Sequence, residues 1–313
     1  MTPIRSYASI KKNFSSHVTD IANLFREKTR DIPDQLRVFL ERTKRVEETV
    51  LRQTGIKLEG LKILEIGTGQ LPLRLKYFSA KNEVTGIDAD PVPQGFDFGA
   101  YGRLLRSGDG LRLVKTIGRK IIGVDRLSRV ELEKQTGRKF SKKLKIIQAD
   151  AERLPFPDGS FDFIYSFSVF EHLKNPAACL KEINRVLKLG GGFYIAVHLY
   201  ASDNGCHDPR IFSGNRKDIP WWAHLRPEHA QKVRPNAFLN KIRLDEWEKI
   251  FSGECPGVFF EYLQYNREFF AGKLKEIRKN GELAGYTDDE LLTVDLAVIF
   301  RKGNPRPQAP CSG

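Results

Sequence analysis

No run of about 20 apolar residues occurs in the 313-residue chain, so nothing in it reads as a membrane span. The amino end, Met1-Thr2-Pro3-Ile4-Arg5-Ser6, has no apolar signal core, and secretion is not expected. Cysteine is scarce. Cys179, Cys206, Cys255 and Cys311 stand far apart without metal or redox spacing, so they read as free thiols of a reducing cytoplasm and no metal site is expected. No internal repeat organises the chain. Acidic residues are in deficit: 39 Asp and Glu against 52 Lys and Arg leave a net charge of +13. The excess is local, because Tyr101 to Lys145 holds 14 Lys and Arg against 4 Asp and Glu. A basic surface suits an anionic partner such as nucleic acid, an acidic glycan or a lipid headgroup.

The chain is organised around Leu61-Lys62-Ile63-Leu64-Glu65-Ile66-Gly67-Thr68-Gly69-Gln70. It begins as a buried strand and ends in two glycines, with Pro72 where a helix can start. A strand that breaks at glycines and feeds a helix makes a ligand crevice at the carboxyl edge of an open α/β sheet. Val84-Thr85-Gly86-Ile87-Asp88 reads as a second strand. Its terminal acid lies about 20 residues beyond the glycines, where a carboxylate can accept from a ribose diol. Leu144 to Ala151 is a strand ending at Asp150, and Leu154 to Ser166 is a turn followed by a strand.

Together these segments resemble the class I methyltransferases that use S-adenosylmethionine, and in particular the type 11-like group. The likeness runs from Ile63 to Val197 and is clearest in "LPFPDGSFDFIYSFSVFEHL" and "RVLKLGGGFYIAV". It implies an α/β Rossmann-like fold with a seven-stranded sheet in the order 3-2-1-4-5-7-6, strand 7 antiparallel, and helices on both faces. It also implies S-adenosylmethionine as cofactor. Gly67 and Gly69 match the loop that approaches the methionine part, and Glu65 the acid that opens that loop. Asp88 matches the ribose acid, Asp150 the acid facing the adenine amino group, with the Ala151 amide nearby. Ser166 and Phe167 match positions whose backbone faces the methionine amine. The absence of a third glycine, Pro72 standing there instead, fits a cofactor without a pyrophosphate.

Residues 1–60 read as an amino-terminal helical cap. Ile21, Leu24 and Phe25, then Leu36, Phe39 and Leu40, have helical spacing, Pro33 separates the runs and Asp31 suits a cap. The cap is expected to cover the cofactor or to pack on the sheet. Residues 61–303 form the cofactor-binding domain, and 304–313, with prolines, a flexible tail. Between strands 2 and 3 lies a basic helical insert, 91–143. There Leu111, Val114, Ile117 and Ile121 form a stripe among Arg112, Lys115, Arg119 and Lys120. Such a helix lies on a membrane surface, or packs its stripe at home and solvates its charges. The enzyme is therefore expected in the cytoplasm, with peripheral contact to the inner face of the membrane as one option. Pro176 to Leu187 reads as a helix ended by Gly190-Gly191-Gly192, and Phe193 to Val197 as the fifth strand. Leu244 to Phe251 is a helix. Val258 to Leu263 and Thr293 to Phe300 read as strands about a helix from Asn266 to Lys279.

The segment 198–240 follows the fifth strand and is rich in His, Asn, Asp, Pro and aromatics, with little periodicity. It is placed on the substrate side. It holds His198, His207 and His224, the candidates for a general base, since a hydroxyl acceptor needs its proton removed and imidazole suits that near neutrality. Its "PWxHLR" element and Leu239-Asn240 are similar to a bacterial subgroup that accompanies glycan or natural-product assembly, although Cys206 replaces a glycine there. Asp203 and Glu171 are the carboxylate alternatives, and His172 reads as a packing residue. The expected reaction is O-methylation of a glycan, lipid-linked glycans included, or of a secondary metabolite. RNA modification through the basic insert, and cofactor binding without turnover, are the competing readings. Base-amino methylation of nucleic acid is disfavoured, because Ser166-Phe167-Ser168-Val169 stands where an Asn/Asp-Pro-Pro-aromatic turn is needed, and no cysteine is there to attack a cytosine. The sequence leaves the acceptor, its regiochemistry, O- versus N-transfer, the pathway and the oligomeric state open.

Overall fold

The computed structural model describes residues 32–91, 123–140 and 143–303. The expectations for Ile21, Leu24 and Phe25, for Asp31, for the stripe at Leu111 to Ile121 with its basic neighbours, and for the tail 304–313 lie outside the described residues. The strands are β1 (Lys62–Ile66), β2 (Glu83–Asp88), β3 (Ile146–Gln148), β4 (Phe161–Phe167), β5 (Leu187–His198), β6 (Phe259–Leu263) and β7 (Asp295–Arg301). They form one seven-stranded sheet in the order β3-β2-β1-β4-β5-β7-β6. Pairing is parallel from β3 through β5, and β7 runs antiparallel to both β5 and β6. The expected order and the antiparallel seventh strand are therefore present.

Helices cover both faces. On one side, α1 (Ile32–Thr54) buries Leu36, Leu40, Val46 and Val50, a stripe at helical spacing. It packs with Ile63, Phe163, Tyr165, Tyr194 and Ile299 of the sheet. The insert helix α3 (Val124–Thr136) joins this layer through the fully buried Leu132. Gln135 Nε2 donates to the Pro33 carbonyl at 2.8 Å. On the other side, α4 (Pro176–Val186) and α6 (Leu244–Glu254) pack Leu180, Ile183, Trp247 and Phe251 on Leu64, Ile164 and Ile195. The start of α4 is set by Asn175, whose side chain accepts from the Ala178 amide at 3.1 Å, with Pro176 in the first turn. Two short helices, α2 (Leu73–Phe78) after the glycine turn and α5 (Pro209–Phe212), lie toward the carboxyl edge. The helices α7 (Arg267–Arg278) and α8 (Asp288–Leu292) join β6 to β7. The sequence pattern had shown only the first of these two.

Several boundaries differ from expectation, three of them around β3 and β5. The strand expected over Leu144 to Ala151 is ladder-paired only at Ile146–Gln148. The helix α4 stops at Val186, one residue early. The Gly190-Gly191-Gly192 run is not a helix terminator but part of β5, which begins at Leu187. Leu187 pairs with Phe161 and Gly192 with Phe163, so the glycines form a bulge that takes up the extra length of β5. Close approach explains the residue type: a Cβ at Gly191 would sit 2.7 Å from the Asp162 carbonyl oxygen, and one at Gly192 2.6 Å from that of Phe300. Gly192→Ala should push β7 off β5 at its carboxyl end and destabilise the fold by about 1–3 kcal/mol, the usual cost of overpacking. Urea unfolding measures it, and an unchanged midpoint would show that the bulge has slack.

Candidate active site

The glycine turn leaves β1 between its two neighbours. Gly67 N–H donates to the Ile87 carbonyl at 2.8 Å, which ties the turn to the end of β2. Both glycines have positive φ, 77° at Gly67 and 61° at Gly69, a region costly for other residues. Their surroundings differ. A Cβ on Gly67 would meet Val169 Cγ2 at 2.2 Å, whereas nothing lies within 4 Å of one on Gly69. Gly67 is therefore required by packing on the turn after β4, and Gly69 is the position where the backbone stands open to a ligand. Asp88 ends β2 with Oδ2 accepting from Gly69 N–H and Oδ1 from the Asp90 amide, both at 2.9 Å. A carboxylate offers about four acceptor positions, so this arrangement is compatible with a ribose diol. Asp150 follows β3 and accepts from the Glu152 amide at 2.9 Å, with Ala151 beside it in the same turn. Ser166 donates its hydroxyl to the Ile66 carbonyl at 3.0 Å and is fully buried. Gly67, Gly69, Asp88, Asp150, Ala151 and Ser166 thus stand along the carboxyl ends of β1 to β4, and the open space at Gly69 fits the cofactor inferred from the sequence.

Glu65 and Phe167 do more than the sequence suggests. The Glu65 carboxyl is buried beside Arg74 and Tyr165. Burial pushes its pKa up to about 8, against the pull of the Arg74 guanidinium. Arg74 lies 3.7 Å from the centroid of the Phe167 ring, a cation–π contact beneath the loop. The Phe167 ring in turn packs on Tyr194, centroids 5.3 Å apart.

The histidines divide into two groups. His198 closes β5, and its Nδ1 lies 2.8 Å from Asp295 Oδ1 at the start of β7. Burial lowers the affinity of His198 for a proton, but the Asp295 carboxylate and the nearby Asn204 carbonyl outweigh it, and its pKa is raised overall. The His207 ring is 4.9 Å from that of His172, edge to face, and 5.0 Å from that of His198, tilted, so three imidazoles form one row. Burial first, then the neighbouring His198 and His172, press His207 down to about 3. His207 holds φ at 53°, a left-handed conformation unusual outside glycine. Between the rings lies Glu171, in the short 3₁₀ turn Phe170–His172. Neither of its oxygens makes a well-formed hydrogen bond, although the amides of Glu171 and His198 are near. Burial pushes Glu171 up to about 8. This turn is clamped from the 198–240 segment: Asn240 donates from Nδ2 to the Phe170 and Leu173 carbonyls at 2.8 and 3.1 Å, and His172 Nδ1 lies 2.7 Å from the Phe238 carbonyl.

His224 is placed apart. Its Nε2 lies 2.7 Å from the Tyr200 carbonyl, and its ring packs on Tyr200 rather than on the other imidazoles. Asp203 is occupied as well: Arg216 grips both of its oxygens, at 2.6 and 3.0 Å, and the Trp222 amide donates to it at 2.7 Å. With Asp208, held by Arg210 and the Arg234 amide, it gives the irregular segment its internal order. His229 takes part in none of these clusters, and His17 lies outside the described residues. Asn240 was named from sequence only within the Leu239-Asn240 segment and without a role, and Asp295 and Arg74 were not singled out. Of these two only Asp295 has a signal there, an acid at the start of a mostly apolar strand.

His224 gives a pH test. Its Nδ1 is buried without a partner, and burial lowers its pKa to about 4. A histidine depressed in the fold stabilises fully above its unfolded value of about 6.5 and loses that contribution as the pH falls toward the folded value. Wild-type stability should therefore drop between about pH 6.5 and 4. His224→Gln, which keeps a donor for Tyr200, should remove on the order of 1 kcal/mol of that drop. Identical pH slopes in denaturant titrations of the two proteins would contradict this.

Comparison with known proteins agrees with this geometry. Residues 105–195 match the family model described as a methyltransferase domain. The chain is 30% identical over 105 residues to the uncharacterized methyltransferase YcgJ of Bacillus subtilis, covering 34% of this chain and 35% of that one. It is 37% identical over 79 residues to the sterol 4-C-methyltransferase strm-1 of Caenorhabditis elegans, covering 24% of each. The chain spans about a third of the length of the first of these relatives and about a quarter of the second. Among solved structures it is similar to that of YcgJ from Bacillus subtilis, with a TM-score of 0.35 and 20% identity over 79% of this chain and 93% of that one. It is also similar to a phosphoethanolamine N-methyltransferase of Haemonchus contortus, with a TM-score of 0.42 and 16% identity over 82% and 51% of the two chains. Residues 105–195 are thus similar to a methyltransferase domain, and the sheet around them has the strand order expected of the class I S-adenosylmethionine-dependent methyltransferases.

Proposed function

We propose that this chain methylates a hydroxyl oxygen of a small-molecule or glycan acceptor, lipid-linked glycans and secondary metabolites included. The observation that carries this reading is the His198–Asp295 pair at the carboxyl end of β5, next to the turn that packs on the glycine loop. When bound, S-adenosylmethionine supplies a methyl group made electrophilic by its sulfonium. The chain's task is to hold that group in line with an acceptor and to take up the acceptor's proton. Gly67 and Gly69 would admit the methionine part, Asp88 would accept from the ribose diol, and Asp150 with the Ala151 amide would face the adenine. Ser166 and Phe167 present the backbone at the end of β4.

The Asp295 carboxylate accepts from His198 Nδ1–H, which fixes the tautomer and leaves a lone pair on Nε2. Nε2 is buried and makes no well-formed hydrogen bond among the described residues, although the Asn204 carbonyl is near. It is therefore suited to receive the hydroxyl proton as the new oxygen–carbon bond forms. His207, the first candidate from sequence, packs its ring beside that of His198, and its burial-depressed basicity suits it less to the proton's uptake. His224, turned to the Tyr200 carbonyl, is assigned no catalytic part. The basic stretch between Tyr101 and Lys145 favours an acceptor that is anionic or lies at an anionic surface, such as the inner face of the cytoplasmic membrane.

A screen of hydroxyl- and amine-bearing acceptors with methyl-labelled cofactor tests the reading, with label expected on oxygen. Asp88→Ala should weaken cofactor binding at least tenfold, because hydrogen bonds to a charged acceptor contribute roughly 1.5–3 kcal/mol each. His198→Gln and Asp295→Asn should leave cofactor affinity unchanged and lower turnover by about 10²–10⁴-fold. Label found only on nitrogen, or full turnover by His198→Gln, would overturn the proton route. Unchanged calorimetric affinity in Asp88→Ala would overturn the ribose assignment.

A further inference from the structure

Glu171, His172 and His207 form a group that hydroxyl activation by the His198–Asp295 pair leaves unexplained. Their ligand-type atoms all lie within 4.8 Å of one another. Glu171 Oε1 is 4.0 Å from His172 Nε2 and 3.9 Å from His207 Nε2. The Glu171 side chain is only 3% exposed, and both its oxygens lack a well-formed hydrogen bond. A buried carboxylate left in this state is costly unless a cation or a full set of donors meets it. Beside the amides of Glu171 and His198, the side-chain nitrogens that face Oε1 at these distances are imidazoles, and His207 Nε2 is itself buried without a hydrogen-bond partner among the described residues.

We propose that Glu171, His172 and His207 bind a divalent transition-metal ion of the zinc type. The donor set is two imidazoles and one carboxylate, a combination that suits such ions and leaves a coordination position open for a further ligand. The second shell is already built. His172 Nδ1 is engaged by the Phe238 carbonyl at 2.7 Å, which fixes the ring with Nε2 as the free donor. The Glu171 backbone is held by Asn240, whose amide donates to the Glu171 carbonyl at 2.9 Å. Bonds of about 2.1 Å at tetrahedral angles place ligand atoms roughly 3.4 Å apart. The 3.9–4.0 Å separations from Glu171 need a contraction of about half an ångström, and the His172–His207 pair, within 4.8 Å, one of up to about 1.4 Å, to be supplied by side-chain rotation on metal binding. The site has a way in, since the His172 side chain is 27% exposed while those of Glu171 and His207 are 3% and 12% exposed. The cation site stands on these residues alone. Its use, polarising the acceptor oxygen beside His198, rests on the methyltransferase reading above.

The test uses the full chain, stripped with a chelator and titrated with zinc chloride by calorimetry, then with cobalt(II) followed by visible absorption. One ion per chain is expected, with magnesium at least 100-fold weaker and a cobalt spectrum lacking thiolate charge transfer. His207→Ala and, at the exposed rim, His172→Ala should each weaken zinc at least 100-fold. Glu171→Gln, close in shape to the protonated acid, should weaken it at least tenfold. All three should keep wild-type circular dichroism and S-adenosylmethionine affinity. No stoichiometric zinc binding by the wild type, equal affinity in His172→Ala, or a thiolate band implicating Cys206 would each overturn the site. Zinc binding without cofactor binding would leave the site standing and remove the methyltransferase reading. Cofactor binding without zinc would do the reverse.

Discussion

The bond from the Ser166 hydroxyl to the Ile66 carbonyl joins the ends of β1 and β4, the two strands from which the site is hung. Ser166 pairs with Ile66 on one side and Ile195 on the other, so the same residue also fixes the level of β5. One residue on, the ladder stops. Ser168 takes a positive φ of 52°, and Val169 turns under Gly67. The glycine turn, the Glu171 turn and His198 therefore come to one edge as a result of strand register. A slip of one residue in β4 would exchange its two faces and disperse them. Because the central strands are buried on both sides, such a slip would also bury polar groups in place of Phe163 and Ile164, and the hydrophobic effect enforces the register that the site needs.

Burial is used in two ways. In the core it gives stability through apolar contact. At the carboxyl edge it isolates carboxyl groups, and the sites where this happens are distinct. Glu65 has a buried cation, Arg74, within electrostatic reach, so its cost is partly offset. Asp203 and Asp208 are each met by an arginine in good geometry and serve to shape the 198–240 segment. Glu171 differs in being surrounded by imidazoles and by no arginine or lysine partner among the described residues. That contrast, more than the number of histidines, sets the Glu171 cluster apart from the structural polar network around it.

The strand order, and the meeting of the glycine turn with the acids that end β2 and β3, were legible in the sequence because they depend on local signals. A strand that ends in glycine, or in Asp88 or Asp150, announces itself over a few residues. The acceptor side was read less well because its geometry is built from distant pieces. His198 and Asp295 lie 97 residues apart in sequence yet face each other across an antiparallel pair. Glu171 and His172 come 36 and 35 residues before His207, with no spacing that a metal or base motif would show. His172 was read as packing and Glu171 as an alternative, since the sequence could not show that Asn240 clamps their turn. The Gly190-Gly191-Gly192 run misled for a physical reason: glycine serves equally to end a helix and to let strands approach closely, and only the neighbours Asp162 and Phe300 decide between the two.

The place of β7 also bears on how the chain acquires its shape during synthesis. Every other strand precedes it, yet it lies between β5 and β6, and β6 pairs with no other strand. Until β7 emerges, β5 presents an open edge and β6 is without a partner, so the parallel half of the sheet must form around an exposed flank that invites wrong pairing. Docking of β7 closes that flank and delivers Asp295 to His198 in the same step. The imidazole is thus oriented only once the sheet is sealed, and a nascent or partly unfolded chain lacks the His198–Asp295 pair even when the glycine loop and Asp88 are already in place.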